Sequence, residues 1–396
     1  MSQFLKELDK RVNPEKTRNF DINVLSEKIE RLMDIGKKKI FETPINTLRI
    51  GVIGSNGKGS TSILLSRMLK EKNIIGLYTS PHLISPLERI RVNDKTLDID
   101  VIENAYFEML GVMNENDNFS YFEIMTLLAL YVFNENKCNI QIFEAGMGGR
   151  FDATKIARPE IVVLTGVSLE HTQILGSTIK EILSEKLAII GSYTKKLFYP
   201  DCKELNQEDV ELIAKYFNEN ILIFKFEGTN ASLRNNYIKY NYEFAKYVLD
   251  TIEIDCSEKN QIDFSISGRM EMRQFITKNK KLKCIYDNAH NPEAISILFS
   301  NLKNQNLIPK DRTAVFMGML HDKDIEECIK IIKKENINNL FLITGEEFSD
   351  SSAVMKKIGI QNLKESIKNL VDDNQIDTLL ITGSSRLYGI FLDLTK

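Results

Sequence analysis

The sequence lacks the cysteine spacing and the basic blocks that mark several classes of protein. Its five cysteines are scattered singly with no C-x-x-C pair, which argues against a disulfide framework and against a cysteine zinc site. The 52 basic and 55 acidic residues give a formal charge of −3, and no basic block could neutralise a row of nucleic-acid phosphates. We therefore expect small-molecule substrates or a protein partner, and no binding of nucleic acid.

The sequence also lacks a segment that would direct it to or across a membrane. The N-terminal stretch MSQFLKELDKRVNPEK is charged throughout and has no apolar core of a signal peptide. The longest uncharged apolar stretch, residues 124–133, is about half of the roughly 20 residues that a membrane span needs. These absences predict a soluble, cytoplasmic protein.

Short β-rich runs alternate with helical segments along the 396 residues. Continuous apolar strands separated by helices are typical of parallel sheets covered on both faces, and the length favours two domains. The alternation breaks near FSISGRMEMRQF, and a new strand–helix series starts at Lys283. We therefore predict an α/β protein with an N-terminal domain of residues 1–264 and a C-terminal domain of residues 265–396.

The clearest motif is GVIGSNGKGSTS, residues 51–62, which lies between an apolar strand and a helical segment. A glycine-rich turn at this position points backbone N–H groups and the positive end of the helix at an anion. Lys58 would add a positive charge, and Ser60 or Thr61 a hydroxyl for Mg²⁺. Gly59 separates the lysine from the hydroxyls, so the common G-x-x-x-x-G-K-[ST] pattern is not matched. The composition still favours phosphate binding over an ordinary tight turn.

Polar residues also follow several predicted strands, at the edge where ligands collect in open α/β sheets. Glu144 ends a strand in FEAGMGGRFDAT, and a carboxylate opposite a phosphate loop can hold Mg²⁺ to a nucleotide. The alternative is that Glu144 only caps the next turn. Each histidine could likewise be structural, although all four follow strands: His82, His171, His290 and His321.

Eight motifs occur in an order that resembles the folylpolyglutamate synthase and dihydrofolate synthase family of the Mur ligase superfamily. The resemblance implies a Mur ligase-like fold, with an N-terminal P-loop ATPase domain containing a mostly parallel sheet and a smaller, Rossmann-like C-terminal domain. It also implies ATP-dependent amide formation, in which a folate carboxylate becomes an acyl phosphate that the amine of L-glutamate attacks. The motifs are GSNGKGSTS, GLYTSPHL with ERIRVN, SYFEIMTLLAL, FEAGMGGRFDAT, LEHTQILGSTIKEILSEK, SGRME, YDNAHNP and MGMLHDKD.

The same resemblance implies roles for individual residues. The ATP-binding residues would be Gly57, Lys58, Gly59, Ser60, Thr61, Asn241, Arg269 and Asp287. Two Mg²⁺ ions would be bound through Ser60, Ser80, Glu144 and His171, and the catalytic residues would be Lys58, His171 and a carbamylated Lys186. The substrate would be contacted by Ser120, Tyr121, Phe122, Glu123, Phe151, Asp152, Ala153 and His290. The spacing around Lys186, taken alone, indicates only a solvated surface lysine.

The sequence departs from the family pattern at several of these places. Around Lys186 it has EKLAII where the family has EKAGI, and the stretch between Arg269 and Asp287 is longer than usual. Glu170 stands where the family usually has aspartate before the histidine, and Asn288 stands where it has glycine after Asp287. The glutamine that commonly precedes the adenine-side asparagine is missing. These departures remove none of the residues that the resemblance assigns to ATP, Mg²⁺ or substrate.

Several questions of function stay open at the level of sequence. A peptidoglycan-type Mur ligase and a nucleotide-switch ATPase are alternatives to folate chemistry. Use of dihydropteroate as a second substrate depends on Tyr121 and Phe122, which either stack on a pterin ring or merely start a buried helix. The family resemblance leads us to expect a monomer.

Overall fold

The computed structural model describes residues 2–11, 22–42, 44–114, 117–228, 236–254, 262–277, 280–373 and 376–396. The chain forms two compact α/β units, which confirms the predicted fold class. The first unit comprises Met1–Thr229 and Tyr240–Ile262, and the second comprises Asn230–Lys239 and Asp263–Lys396. The second unit therefore also includes a short segment that lies far upstream of the predicted boundary.

Each unit is built from strands and helices that alternate along the chain. The strands are β1 (Leu48–Ile53), β2 (Ile75–Tyr78), β3 (Ile90–Val92), β4 (Lys95–Thr96), β5 (Ile140–Glu144), β6 (Ile161–Leu164), β7 (Lys196–Pro200), β8 (Leu222–Phe226), β9 (Glu271–Ile276), β10 (Lys281–Asp287), β11 (Thr313–Met317), β12 (Asn339–Thr344), β13 (Lys357–Gly359) and β14 (Thr378–Thr382). The helices are α1 (Gln3–Asp9), α2 (Ile22–Ile35), α3 (Lys58–Leu69), α4 (Ile99–Leu110), α5 (Tyr121–Glu135), α6 (Thr172–Leu175), α7 (Ile179–Leu187), α8 (Gln207–Phe217), α9 (Tyr237–Thr251), α10 (Pro292–Asn304), α11 (Ile325–Lys334), α12 (Leu363–Asp373) and α13 (Tyr388–Leu394).

The sheet of the first unit is mostly parallel and has the order β4-β3-β2-β5-β1-β6-β7-β8. Only β3 and β4 are added in antiparallel fashion, at one edge. Strand β1 lies in the middle and pairs in parallel with β5 and with β6. The carboxyl ends of these three strands therefore meet at one edge of the sheet. At this edge the glycine-rich loop follows β1, and Glu144 is the last residue of β5.

The sheet of the second unit has the order β13-β12-β11-β14-β10-β9 and is parallel except for β9. Strand β9 lies largely in the segment FSISGRMEMRQF, where the alternation of apolar strands and helices breaks. Most of its side chains are at least partly exposed, because it is an edge strand paired only with β10. An edge strand needs no continuous apolar run, so the hydrophobic pattern did not reveal it.

Helix α5 is almost entirely buried in the core of the first unit. It begins with a capping box, in which the Ser120 hydroxyl accepts from the Glu123 N–H at 3.3 Å and the Glu123 carboxylate accepts from the Ser120 N–H at 2.6 Å. The S-Y-F-E motif therefore has a structural role as a helix start. Among the described residues, no helix combines the length and apolarity that a membrane span requires.

Candidate active site

The loop between β1 and α3 has a backbone that requires glycine. Gly54 and Gly57 have φ values of +140° and +86°, which favour residues without a Cβ. A Cβ on Gly54 would also lie 2.2 Å from the Thr165 hydroxyl oxygen. Because Gly57 caps α3, the unpaired N–H groups of the first helical turn are presented to the loop. The geometry is that of an anion-binding turn.

Lys58, the first residue of α3, is folded back onto this loop. Its ammonium donates to the carbonyl oxygens of Gly54 at 2.8 Å and Ser55 at 3.1 Å. The positive charge is therefore held at the anion-binding turn by two contacts within the loop itself. The side chain is only partly buried, so it contributes charge more than packing.

Glu144 lies directly against the start of α3. Its carboxylate is buried, with 4% of the residue exposed, and accepts from the Ser80 N–H at 2.9 Å. A Cβ on Gly59 would lie 3.3 Å from both carboxylate oxygens of Glu144. The structure thus brings together the strand-end acid, the loop and Ser80, three features that the sequence placed far apart.

These groups have the chemistry that Mg²⁺ prefers. Ser60 and Thr61 are buried in the first turn of α3, and among the described residues the Thr61 hydroxyl has no hydrogen-bond partner. A carboxylate with neighbouring hydroxyls is a set of hard oxygen donors. The described part of the chain contains no group of three or more His, Cys, Asp or Glu side chains that could hold a metal. The residues therefore fit Mg²⁺ that completes its coordination with nucleotide oxygens and water.

Lys186 is fully buried, so the surface position that its spacing suggested is wrong. The ammonium donates to the Gly54 carbonyl at 3.0 Å, the Met147 carbonyl at 3.0 Å and the Glu170 carboxylate at 2.9 Å. A signal for this burial was present, because Lys186 falls on the same helical stripe as Ile182. A charged residue on that stripe must find partners inside the protein.

The Lys186–Glu170 ion pair perturbs both groups. Burial lowers the pKa of Lys186, while the charge of Glu170 opposes that shift. Burial acts to raise the pKa of Glu170, but the positive charges of Lys186, Lys58 and His171 bring it below its usual value. His171 follows directly, caps α6 and has a left-handed backbone with φ of +47°. The acid is therefore a carboxylate at neutral pH and holds positive charge around the phosphate loop.

Two of the residues assigned to the folate substrate lie beside the loop that follows β5. The ring of Phe122 packs against Gly146, where a Cβ would lie 2.9 Å from the ring. Asp152 is buried and accepts from the Met147 N–H at 3.1 Å and from the Thr154 N–H at 3.0 Å and hydroxyl at 2.6 Å. Asp152 thus caps the short 3₁₀ helix Ala153–Ala157, with Ala153 buried and Phe151 only partly buried.

Tyr121 belongs to a second polar cluster that sequence reasoning missed. The guanidinium of Arg89 lies 5.0 Å from the centre of the Tyr121 ring, and Arg89 is only 1% exposed. Its Nε donates to Nδ1 of His82 at 2.9 Å. Both Arg89 and His82 come from motifs that we quoted for the resemblance without giving either residue a role. The packing of this arginine on a ring could not be recognised in the sequence, because the aromatic partner Tyr121 comes from another segment of the chain.

Asn241, on helix α9, lies against the phosphate loop from another side. A Cβ on Gly57 would be 3.2 Å from the Asn241 side-chain oxygen. Asn241 is buried, and like Gly57 it belongs to the first unit. The contact places a side-chain amide next to the anion-binding turn.

In the second unit, Asp287 ends β10 and is buried. Its carboxylate accepts from the Tyr237 hydroxyl at 2.5 Å and from the N–H groups of Met270 and Ala289, each at 2.8 Å. Burial raises the pKa of Asp287, although the nearby charge of Arg269 opposes the shift. The carboxylate is therefore largely occupied by contacts within its own unit.

Two histidines of the second unit also make local contacts. The His290 Nδ1 lies 2.8 Å from the Asn288 carbonyl, and the His321 Nε2 lies 2.9 Å from the Glu346 carbonyl. Both lie beyond strand ends, as the sequence indicated. His290 follows β10 closely, so it shares the edge of the second sheet that Asp287 occupies.

Family models match most of the chain. The Mur ligase middle domain matches residues 52–273, more than half of the 396 residues, and the Mur ligase glutamate ligase domain matches residues 268–385. The first match includes the phosphate loop, Glu144, His171 and Lys186. The fold and the site therefore define a protein of the Mur ligase class.

Individual relatives narrow this class. The chain is 28% identical to the dihydrofolate synthase/folylpolyglutamate synthase of Escherichia coli, with 84% of this chain and 83% of the relative covered. It is 30% identical to the protein of the same name from Buchnera aphidicola subsp. Acyrthosiphon pisum, with 69% of each covered. The chain belongs to the Mur ligase family and, within it, to the dihydrofolate synthase/folylpolyglutamate synthase group.

Solved structures show the same fold over nearly the whole chain. E. coli FolC in complex with DHPP and ADP superposes with a TM-score of 0.78 at 23% identity, covering 98% of this chain and 96% of that one. The bifunctional folylpolyglutamate synthase/dihydrofolate synthase of Yersinia pestis, complexed with AMPPNP and Mn ion, gives 0.77 at 20% identity, covering 99% and 97%. At these identities the likeness establishes the fold.

Proposed function

We propose that the protein is an ATP-dependent ligase that joins L-glutamate to the γ-carboxylate of tetrahydrofolates through an acyl phosphate. The observation that carries the proposal is that a glycine-rich anion-binding loop, Lys58 and the buried acid Glu144 lie together at one edge of the sheet. The names of its relatives support the same reaction. An acyl phosphate is a suitable intermediate because it converts a poor leaving oxygen into phosphate.

The residues of the loop would carry out the electrostatic part of the reaction. The N–H groups at the start of α3 and the ammonium of Lys58 stabilise negative charge on the transferred phosphoryl group. Ser60, Ser80, Glu144 and His171 would hold Mg²⁺, which neutralises phosphate oxygens when it is bound. The residues proposed to bind the nucleotide are Gly57, Gly59, Thr61, Asn241, Arg269 and Asp287. His290 would contact the substrate.

We also propose that the protein joins glutamate to dihydropteroate. The reacting carboxylate of dihydropteroate lies one glutamate closer to the pterin than the γ-carboxylate of a folate does. Using both at one phosphorus therefore requires two pterin positions. Phe122 and Asp152 support a second position, because both flank the loop that also positions Met147 beside Lys186.

Lys186 is proposed to carry a carbamate in the active enzyme. Its burial next to the phosphate loop supports a role in catalysis that a surface lysine would not have. Intact mass measured in bicarbonate buffer tests the modification, because it adds one CO₂. Full activity of Lys186→Ala, with or without added short-chain acids, would contradict it.

We further propose that the protein works in the cytoplasm as a monomer on small-molecule substrates. The decisive experiment is ADP release with L-glutamate and a panel of acceptors that includes dihydropteroate and tetrahydrofolate. Turnover with tetrahydrofolate that requires glutamate is expected. Turnover with dihydropteroate alone would overturn the primary assignment, turnover with neither would favour another Mur-type ligase, and ATP hydrolysis without either substrate would favour a switch ATPase.

A further inference from the structure

The loop between β2 and β3, residues 79–89, is held in place by charged side chains of the ERIRVN motif. The Glu88 carboxylate accepts from three consecutive backbone N–H groups, those of residues 83–85, at 2.7–3.0 Å. The Nε of Arg89 donates to Nδ1 of His82 at 2.9 Å. The motifs TSPHL and ERIRVN therefore form one structural element, in which the second motif fixes the first.

Arg91, on β3, holds the start of the same loop. Its Nη2 donates to the Thr79 hydroxyl oxygen at 3.2 Å, and Thr79 is buried. The next residue is Ser80, whose N–H donates to the Glu144 carboxylate at 2.9 Å. The start of the loop is therefore bonded both to the Arg91 guanidinium and to the acid that is proposed to hold Mg²⁺.

The direction of the Arg91 guanidinium is set by Asp94, in the turn between β3 and β4. Nη1 of Arg91 pairs with one carboxylate oxygen of Asp94 at 3.4 Å, and Nε of Arg67 pairs with the other at 3.2 Å. The side chains of Arg91 and Arg67 are 17% and 16% exposed. A planar guanidinium that is already oriented by an acid loses little freedom when its other nitrogen donates to Thr79.

Arg91 also lies within electrostatic reach of the proposed metal site. Burial lowers the pKa of Arg91, and the charges of Asp94, Glu144 and Glu88 act against that shift. Replacing Arg91 therefore changes two properties at once. It removes a positive charge near Glu144, and it removes the donor that holds the start of the loop.

We propose that Arg91 is a positioning residue for Mg²⁺, which acts by holding the Thr79 hydroxyl and so fixing Ser80 against Glu144. The inference rests on the proposed function, because it concerns the metal that the phosphoryl transfer requires. Groups that orient the ligands of a metal in this way typically change its affinity by ten- to a hundredfold when they are replaced.

Charge and position make opposite forecasts for Arg91→Met. Removing a positive charge near a cation site should strengthen Mg²⁺ binding if charge alone matters. Loss of the donor to Thr79 should instead weaken it, because Ser80 and Glu144 are no longer held together. The readout is the factor by which Mg²⁺ lowers the dissociation constant of AMPPNP, measured by calorimetry in excess Mg²⁺ and in EDTA on the 396-residue chain.

We expect Arg91→Met to reduce this factor about tenfold, a change of about 1.4 kcal/mol, and to leave the dissociation constant in EDTA unchanged. Thr79→Val should reduce the factor in the same direction. In the Arg91→Met background it should cause little further loss, since both residues act through one hydrogen bond.

Arg67→Met is the matched control, because Arg67 pairs with the same acid and has nearly the same exposure. This substitution removes an equal charge and keeps the donor from Arg91 to Thr79. The factor for Mg²⁺ should therefore stay at its wild-type value.

Four results would overturn the inference. They are an unchanged or larger factor in Arg91→Met, an equal loss of binding in EDTA, a full additional loss in the double variant, and an equal loss in Arg67→Met. If Arg91→Met does not fold, Thr79→Val decides alone, and an unchanged factor would reject the proposal. Failure of the wild-type protein to bind AMPPNP, or to bind it more tightly with Mg²⁺, would reject the proposed function itself, so the two failures are distinguishable.

Discussion

The two parallel sheets of this protein end in polar edges that are built differently. At the edge of the first sheet, the Lys58 ammonium donates to two carbonyls of its own loop, and the buried Thr61 hydroxyl has no hydrogen-bond partner within the described residues. At the edge of the second sheet, Asp287 accepts three hydrogen bonds from its own unit. A polar residue at a strand end is therefore available to a ligand only where contacts within the protein leave part of its hydrogen-bonding capacity unused.

Buried acids at the two edges also differ in charge balance. Glu170 faces positive groups that lower its pKa despite its burial, whereas burial dominates at Asp287 and raises its pKa. The first edge is thus an ion-paired environment suited to phosphate. At the second edge, the acid accepts hydrogen bonds from a tyrosine hydroxyl and two backbone N–H groups. It therefore stabilises its own unit, in addition to its proposed contact with the nucleotide.

The largest expected effect is at the first edge. Lys58→Ala should reduce kcat by on the order of a hundred- to a thousandfold, because it removes charge that stabilises the transferred phosphoryl group. The melting temperature should hardly change, since both hydrogen bonds of the Lys58 ammonium within the described residues go to its own loop. Glutamate-dependent ADP release and a thermal melt check this. Retained turnover, or a collapsed fold, would refute the catalytic assignment of Lys58.

At the second edge, Asp287→Ala should act differently, by lowering the free energy of unfolding. It leaves the Tyr237 hydroxyl and two N–H groups without their acceptor, at a cost of about 2–4 kcal/mol in the free energy of unfolding. Urea denaturation measures the loss. Asp393→Ala, which removes a half-exposed acid of the same unit, is the control and should cost far less. If the stability is unchanged and the KM for ATP is higher, Asp287 would act on the nucleotide and have no role in stability.

A smaller effect is expected from Gly59→Ala. The new methyl group would lie 3.3 Å from both Glu144 oxygens, so the carboxylate must shift by a few tenths of an ångström. We expect the KM for MgATP to rise about tenfold with an unchanged melting temperature. Gly148→Ala is the comparison, because its methyl group would make an ordinary contact, at 3.4 Å with Leu175. Equal effects of the two substitutions would argue against Glu144 as the metal-side acid.

The smallest effect is expected away from both edges, at the Arg31–Asp117 pair. Asp117 accepts two hydrogen bonds from the guanidinium, at 2.7 and 2.9 Å, and this contact lowers its pKa. A lowered pKa stabilises the fold above the unfolded-state value of about 3.9, and this stability is lost as pH falls through the folded-state pKa. Asp117→Asn should cost up to about 1 kcal/mol at neutral pH and less in acid. Denaturation of the wild type and the variant at pH 7 and at pH 3 measures this cost at each pH. An equal cost at both pH values would exclude an ionic contribution from the pair.

Much of the first edge was predictable because its signals are local. The glycines around Lys58 report the backbone angles of the turn, and Glu144 directly ends an apolar run. The S-Y-F-E motif was interpreted through the family resemblance as a substrate contact, with the start of a buried helix as the alternative. The structure shows that helix start, with a capping box that the sequence analysis did not recognise. That substrate role stays a prediction, since a capping Ser120 and Glu123 can still border a ligand.

Local sequence was enough to predict the alternation of strands and helices, the anion-binding loop and the acid at the end of β5, because each depends on residues close together in the chain. The packing of distant segments was needed to show that Glu170 is the partner of Lys186 and that Asp287 is held by Tyr237. These contacts join residues 16 and 50 positions apart. Whether a charged side chain is solvated or enclosed depends on which distant segments pack around it, and hydrophobic periodicity carries no record of those neighbours.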